Sequence, residues 1–126
     1  MDPTLESALG EGGIVDITTV GAKSGRHRRI EIVFHCFEGR FYITGKPGFK
    51  RDWMANLNAN PEFTLHLKRN VTANLTAQAT EITNEEERES VLYRILTESW
   101  DTEPDKAAHI VPRWVADAPL VEFTIT

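Results

Sequence analysis

Apolar residues recur at every second position in several short runs along this chain, and a period of two predicts strands. Ile30, Ile32, Phe34 and Cys36 alternate with Glu31, Val33, His35 and Phe37, and Glu38-Gly39-Arg40 then leads into Arg40-Phe41-Tyr42-Ile43-Thr44, which predicts a hairpin. Phe63, Leu65 and Leu67 alternate with Thr64, His66 and Lys68. Val71, Ala73, Leu75, Ala77 and Ala79 alternate with Thr72, Asn74, Thr76, Gln78 and Thr80, so these two runs should pair across Arg69-Asn70. Ile14 to Val20 and Leu120 to Ile125 supply a first and a last strand. About six strands in so short a chain favour a small antiparallel barrel, because closure removes exposed edges.

Three segments instead follow a helical period. Thr83 and Glu86 have capping-box spacing, and Val91, Leu92, Ile95, Leu96 and Trp100 continue from them as an apolar stripe that predicts a helix packed on the core. A short helix is expected from Asp52 to about Asn58, with Asp52 as N-cap, Trp53 and Leu57 on one face and a stop before Pro61. The third runs from Lys106 to Ala116 and is interrupted by Pro112. The resulting class is mainly β with flanking helices (α+β), as one domain over residues 1–126.

With 40% hydrophobic and 26% charged residues the composition is that of a globular domain. No apolar run approaches the roughly 18 residues that span a bilayer, and Met1-Asp2-Pro3-Thr4-Leu5-Glu6 lacks the basic and apolar regions of a secretion signal. A cytoplasmic location is the expectation. The single cysteine, Cys36, lies in a strand pattern with no CxxC context and reads as a small core residue rather than a nucleophile. His27, His35, His66 and His109 are too dispersed for a metal helix. His35 and His66 lie on strands and could meet, but without a third ligand they read as polar-face residues, and no metal site is expected.

Charge changes the picture. Residues 21–51 hold eight Lys or Arg against Glu31 and Glu38, a net +6, so the rest of a chain of net charge −5 carries −11. A positive field so localised on an acidic protein points to a phosphorylated small ligand, and overall acidity without an aromatic stacking platform argues against nucleic acid. The cations fall in two glycine-bearing turns. In the first, Gly21 and Gly25 allow close backbone approach, Ser24 and backbone N–H groups can donate, and Lys23, Arg26, Arg28 and Arg29 supply charge, with Arg28 and Arg29 on opposite faces of the following strand. The second, Gly45-Lys46-Pro47-Gly48-Phe49-Lys50-Arg51, opens onto the N-terminus of the Asp52 helix. The first is not a Walker loop, since Ala22 precedes Lys23 and a strand follows.

Thr19-Val20-Gly21-Ala22-Lys23-Ser24-Gly25 with Arg28, followed after one hairpin by Trp53, Asn56-Leu57 and Ala59-Asn60-Pro61, resembles the deazaflavin-dependent nitroreductase family. The resemblance is close over residues 16–69. It implies a small antiparallel split β-barrel of the FMN-binding, pyridoxamine-phosphate-oxidase-like kind and a bound coenzyme F-420, an 8-hydroxy-5-deazaflavin with a phosphate and oligoglutamate tail. Carried over by residue, it implies that Lys23, Ser24, Gly25 and Arg28 hold tail and phosphate. It further implies that Thr44, Gly45, Lys46, Pro47 and Gly48 approach the ring, that Arg51 and Asp52 belong to the cofactor site, and that Trp53, Asn56 and Leu57 lie on the helix shaping the pocket. The chain departs from many relatives at Ala22 and Glu31 and has a shorter Gly45–Gly48 loop.

The implied activity is hydride transfer from the reduced coenzyme to a quinone, nitro or other electron-poor small molecule. The protein would contribute orientation, water exclusion and one proton donor at most. Tyr42, His35 and His66 are candidates for that proton, each also explained by packing, and none is assigned a catalytic role. Trp100 and Trp114 are expected to pack the C-terminal helices. FMN is the alternative cofactor, and a carrier of a deazaflavin, flavin, haem or lipid the alternative function. A homodimer is compatible with the pattern.

Overall fold

The computed structural model describes residues 2–126. Helix α1 (Pro3–Glu11) precedes strands β1 (Gly13–Val20), β2 (His27–Phe37) and β3 (Arg40–Thr44). Helix α2 (Asp52–Ala59), strands β4 (Glu62–Leu67) and β5 (Ala73–Glu81), helices α3 (Glu85–Arg94) and α4 (Pro104–Asp117), and strand β6 (Leu120–Ile125) follow. All six strands pair antiparallel in the closed order β1-β2-β3-β6-β5-β4, and β4 against β1 completes the ring.

The inward positions are those the alternation marks. Val15 and Ile17 of β1, Phe34 of β2, Ile43 of β3, Phe63 and Leu65 of β4, and Phe123 of β6 fill the barrel, with the small Ala77 and Ala79 of β5 leaving room for the aromatic rings. Phe34 and Phe63 lie 5.9 and 5.4 Å from Phe123, in tilted and edge-on arrangements that aromatic quadrupoles favour.

A second core lies outside the barrel, where Tyr42, Ile82 and Leu120 meet Leu92, Ile95 and Leu96 of the α3 region and Ala107, Val111 and Trp114 of α4. Arg88 ties this layer together: its buried guanidinium donates to the carbonyls of Ile82, Trp114, Val115 and Ala118. Three of these belong to the last turn of α4 and its exit, where Trp114 also accepts the Ala118 N–H and the Val115 and Ala118 carbonyls lie at the helix end. Burial lowers the Arg88 pKa, but the carbonyls satisfy the donors of the charged form.

Several expectations are corrected. Helix α1 is a further element; Leu5, Ala8 and Leu9 at helical spacing pack it on the barrel core, and Asp2 caps it, accepting from the Thr4 N–H, with Pro3 in its first turn. Asn84 rather than Thr83 caps α3, its side chain accepting from Glu87 N–H, because Asn84 and Glu87 share the same three-residue spacing one position later. Asp52 is the first helical residue of α2 and Arg51 occupies the cap without a side-chain bond. Strand β5 begins at Ala73, so Val71 and Thr72 fall in the turn. Pro112 does not break α4: it and Ala108, whose carbonyl it leaves unpaired, are both exposed to water. After Arg94 the chain continues as a π-helical turn over Ile95–Ser99, and that extra residue per turn rotates Trp100 off the stripe, leaving it 40% exposed.

Cys36 is half-buried at the end of β2 rather than within the core. His35 and His66 do not meet and are not solvated. His66 bridges Thr18 Oγ1 and Asn74 Oδ1, each at 2.7 Å, whereas His35 lies under the π-helical turn with its Nδ1 3.0 Å from Ser99 Oγ and Trp100 edge-on at 5.3 Å. Among the described residues there is no group of His, Cys, Asp or Glu that could hold a metal ion, and no helix is long and apolar enough to cross a membrane.

Candidate functional site

The two basic turns, far apart in sequence, are joined through α2. The first turn folds so tightly that a Cβ on Gly21 would stand 2.5 Å from Ser24 Oγ and 3.2 Å from the Arg26 carbonyl, so a larger residue would displace the serine hydroxyl from its place in the turn. Gly21 itself is buried, so its missing side chain serves the turn rather than a ligand. The N–H of Ala22 donates to Asn56 Oδ1 at 2.9 Å, and Asn56 Nδ2 donates to the buried Thr19 Oγ1 at 3.0 Å. Asn60 adds a 3.4 Å bond to the Val20 carbonyl. Arg28 reaches to 3.7 Å of Asp52, the first residue of α2, with both side chains exposed.

This folding uses up most of the turn's amides. Gly21 N–H donates to the Arg26 carbonyl, Gly25 N–H to Gly21, and Arg26 N–H to Ser24 Oγ. The cradle expected from backbone N–H groups is therefore chiefly a side-chain one, made by Lys23, Arg26 and Arg28. Arg29 is diverted to the opposite face, where it and Lys68 bind Asp16 and, together with that lysine first, hold its carboxyl below the usual range.

The second turn is held by Arg51. Its guanidinium lies over Gly45, so close that a Cβ there would meet it at 2.6 Å, and it donates to the carbonyls of Lys46 and Phe49. Gly48 has φ +89°, a left-handed conformation glycine adopts without strain. Thr44 is buried and its hydroxyl donates to the Pro119 carbonyl at 2.5 Å, which anchors the loop's first residue. Lys46, Lys50 and Arg51 extend the positive surface from Lys23 and Arg28 around the start of α2. Among the described residues Lys23, Arg26, Lys46 and Lys50 enter no ion pair.

Two cavities flank this loop and share Phe49. A groove of about 1040 Å³ runs between Arg51 and Met54 on one side and α3 and α4 on the other. A cleft of about 430 Å³ lies between Lys46, Pro47 and Phe49 and the α4 residues His109, Ile110, Arg113 and Trp114. Of the expected site residues, Arg51 borders the groove and Lys46 and Pro47 the cleft. Lys23, Ser24, Gly25 and Arg28 form the exposed rim turn. Trp53 and Leu57 face the barrel core, and Asn56 is the buried joint.

Tyr42, His35 and His66 border neither cavity. Burial lowers the His35 pKa to about 4 and raises that of Tyr42, as expected of core groups. Sequence reasoning missed Phe49, His109 and Arg113. The signal available was the four-residue spacing of His109 with Arg113 and of Ile110 with Trp114, which places each pair on one side of a helix. Nothing in the sequence says that this side meets the 45–49 loop.

The coenzyme's chemistry offers a test of fit. A ligand with a phosphate and a polycarboxylate tail needs several cations and an adjoining cavity for a planar ring; Lys46, Lys50 and Arg51 of the second turn border the groove or the cleft, whereas the first turn's cations are exposed and line neither.

The sequence matches the model of the F420H2-dependent quinone reductase family over residues 6–110. Among solved structures, the fold is similar to a conserved hypothetical protein of Mycobacterium tuberculosis, with a TM-score of 0.74 at 14% identity, covering 99% of this chain and 81% of that one. It is similar to a putative pyridoxamine 5'-phosphate oxidase of Listeria innocua at TM-score 0.65 and 11% identity, covering 96% and 90%. A structure described as an F420-H2 dependent reductase matches at TM-score 0.62 and 22% identity, covering 89% and 94%. At these identities the structural likeness shows the fold, the split barrel of pyridoxamine-phosphate-oxidase-like proteins. No curated protein matches the sequence.

Proposed function

The chain belongs to the F420H2-dependent quinone reductase family, and on that premise we propose that it carries hydride from reduced coenzyme F-420 to a quinone, nitro compound or other electron-poor small molecule. The observation that supports this reading most is the joint at Asn56, which brings two cationic turns onto one helix N-terminus beside a groove large enough for a tricyclic ring. When bound, the coenzyme supplies the hydride-carrying carbon.

The protein's own residues bind, orient and exclude water. Lys23, Arg26 and Arg28 hold the tail and phosphate as exposed cations. Ser24 and Gly25 shape that turn, while Gly45 to Gly48, restrained by Arg51 and Thr44, present a firm edge to the ring. Trp53 and Leu57 act from within the core by fixing α2, and with it Asp52 and Asn56. No side chain is assigned as the proton donor, because the three candidates are buried and lie outside both cavities. We place the protein in the cytoplasm, without a nucleic-acid partner.

Titration with oxidised coenzyme F-420 and with FMN, followed by fluorescence, tests the cofactor. Tighter binding of the deazaflavin is expected, and equal or weaker binding would favour the flavin. Oxidation of the reduced coenzyme should then be faster with protein and a quinone or nitroaromatic than without protein. Tight binding with no acceptor-dependent oxidation across a broad panel would make the protein a carrier.

A further inference from the structure

We propose that the cleft between the 45–49 loop and α4 binds a planar aromatic anion, with Arg113 and Lys46 holding its anionic group and Phe49, Ile110 and Trp114 its ring. The cleft is about 430 Å³, within the range of small-molecule sites and of a size for one or two fused rings. Its polar lining is made of donors: Lys46 from the loop, and His109 and Arg113 from α4, with no Asp or Glu among them. Neither Lys46 nor Arg113 has an ion-pair partner among the described residues. Arg113 is already placed against the loop, its Nη2 3.2 Å from where a Cβ on Gly48 would stand. A planar guanidinium so positioned matches a carboxylate or sulfonate in two parallel hydrogen bonds.

The apolar part has a shape of its own. Phe49 is 65% exposed, the most exposed large hydrophobic residue among those described, while Trp114 is buried behind it. The Arg51 guanidinium lies over the Phe49 ring at 5.3 Å, and the rest of that exposed ring stands in water beside the cleft, where it can pack an aromatic ligand. On the other side of Phe49 the larger groove carries Glu81, Glu85, Glu86, Glu89 and Asp117, which repel an anion. Of the two cavities that share this residue, only the cleft has cations and no carboxylate in its lining, which suits a compact aromatic anion that has no long tail for the cationic turns to hold. The inference rests on the reductase reading for the ligand's role: it makes the acceptor an aromatic compound bearing a carboxylate, sulfonate or oxyanion, seated where the 45–48 loop meets α4.

Binding can be measured without coenzyme. 2-Naphthoate and its neutral analogue 2-naphthamide are titrated calorimetrically, and the His109 ring resonances are followed by NMR. The naphthoate should bind about tenfold more tightly than the amide, the difference one charge-assisted contact makes, and should shift the His109 resonances. Arg113→Gln should abolish the preference and Lys46→Gln reduce it, whereas Arg40→Gln, at the ion pair with Glu122 on the far hairpin, should leave it intact. Equal affinity for the two compounds, unmoved His109 resonances, or a preference that survives both Arg113→Gln and Lys46→Gln overturns the proposal. A parallel titration with coenzyme F-420 separates the two ideas. Coenzyme binding without naphthoate preference overturns this site alone, and naphthoate preference without coenzyme binding supports the site while overturning the reductase reading.

Discussion

Asn56 Oδ1, inside the first helix after the β2–β3 hairpin, accepts the backbone N–H of Ala22 at 2.9 Å and thereby ties the first basic turn to the helix that follows the second. The same amide donates to Thr19 Oγ1, which is itself buried in β1. One acceptor and one donor of a single side chain thus hold the first turn against α2.

Replacing Asn56 by Leu should therefore cost both stability and ligand affinity. It removes two hydrogen bonds and leaves the Thr19 hydroxyl and Ala22 N–H without their partners, a loss of about 1–3 kcal/mol in urea denaturation. Coenzyme affinity should fall in the folded protein because Lys23 and Arg28 are no longer held. Unchanged affinity in Asn56→Leu would mean that the turns bind independently.

Lys23→Ala and Arg28→Ala should each weaken coenzyme binding by about 1.5–3 kcal/mol, the usual effect of losing a hydrogen bond to a charged group, with cooperative unfolding retained. Arg40→Ala serves as the control, since Arg40 is engaged with Glu122 away from the site. Fluorescence titration reads all three, and equal affinities would remove the first turn from the site.

Arg88→Met should be among the more damaging single changes outside the site. It keeps an apolar stem of similar length but removes a donor from four carbonyls, of which only that of Trp114 retains another, the Ala118 N–H, and an expected loss of about 2–4 kcal/mol follows from the three left unsatisfied. Thermal unfolding monitored by tryptophan fluorescence is suited to it, because Trp114 lies in the affected layer. A Tm within a degree or two of the parent would show that the carbonyls find water instead.

His35 predicts an acid-side instability. Burial lowers its pKa from 6.5 to about 4, so between those values the unfolded chain is protonated and the folded chain is not. The unfolded state then binds more protons, and stability falls as pH drops from about 6.5 to 4, by on the order of 3 kcal/mol from this group. In His35→Phe, which keeps a ring beside Phe37 and Trp100, that part of the pH dependence should disappear. Parallel stability–pH curves for parent and variant would show that His35 already titrates normally in the fold.

Cys36→Ser should leave acceptor-dependent oxidation of the reduced coenzyme running, since the half-buried thiol lies outside both cavities and no thiol step is invoked. A loss of turnover with binding and folding intact would call for a cysteine mechanism.

The amino-acid order by itself determines the barrel, because the period of two at Ile30–Phe37, Phe63–Lys68 and Ala73–Thr80 leaves one buried face per strand and a one-residue slip would turn each inside out. It also determines where the cations lie along the chain and, through Thr19 to Arg28 and Trp53 to Pro61, the family. Element ends were less legible, since Thr83 and Asn84 both offer caps at the right spacing and the π-helical turn that exposes Trp100 has no local signature. Only tertiary structure decided that Asn56 joins the two turns, that Arg29 is drawn away to Asp16 while Arg28 stays at α2, and that His109 and Arg113 face Lys46 across a cleft. Each of these is a contact between segments distant in sequence, set by barrel closure and helix packing, and periodicity within a segment carries no information about which segment it will meet.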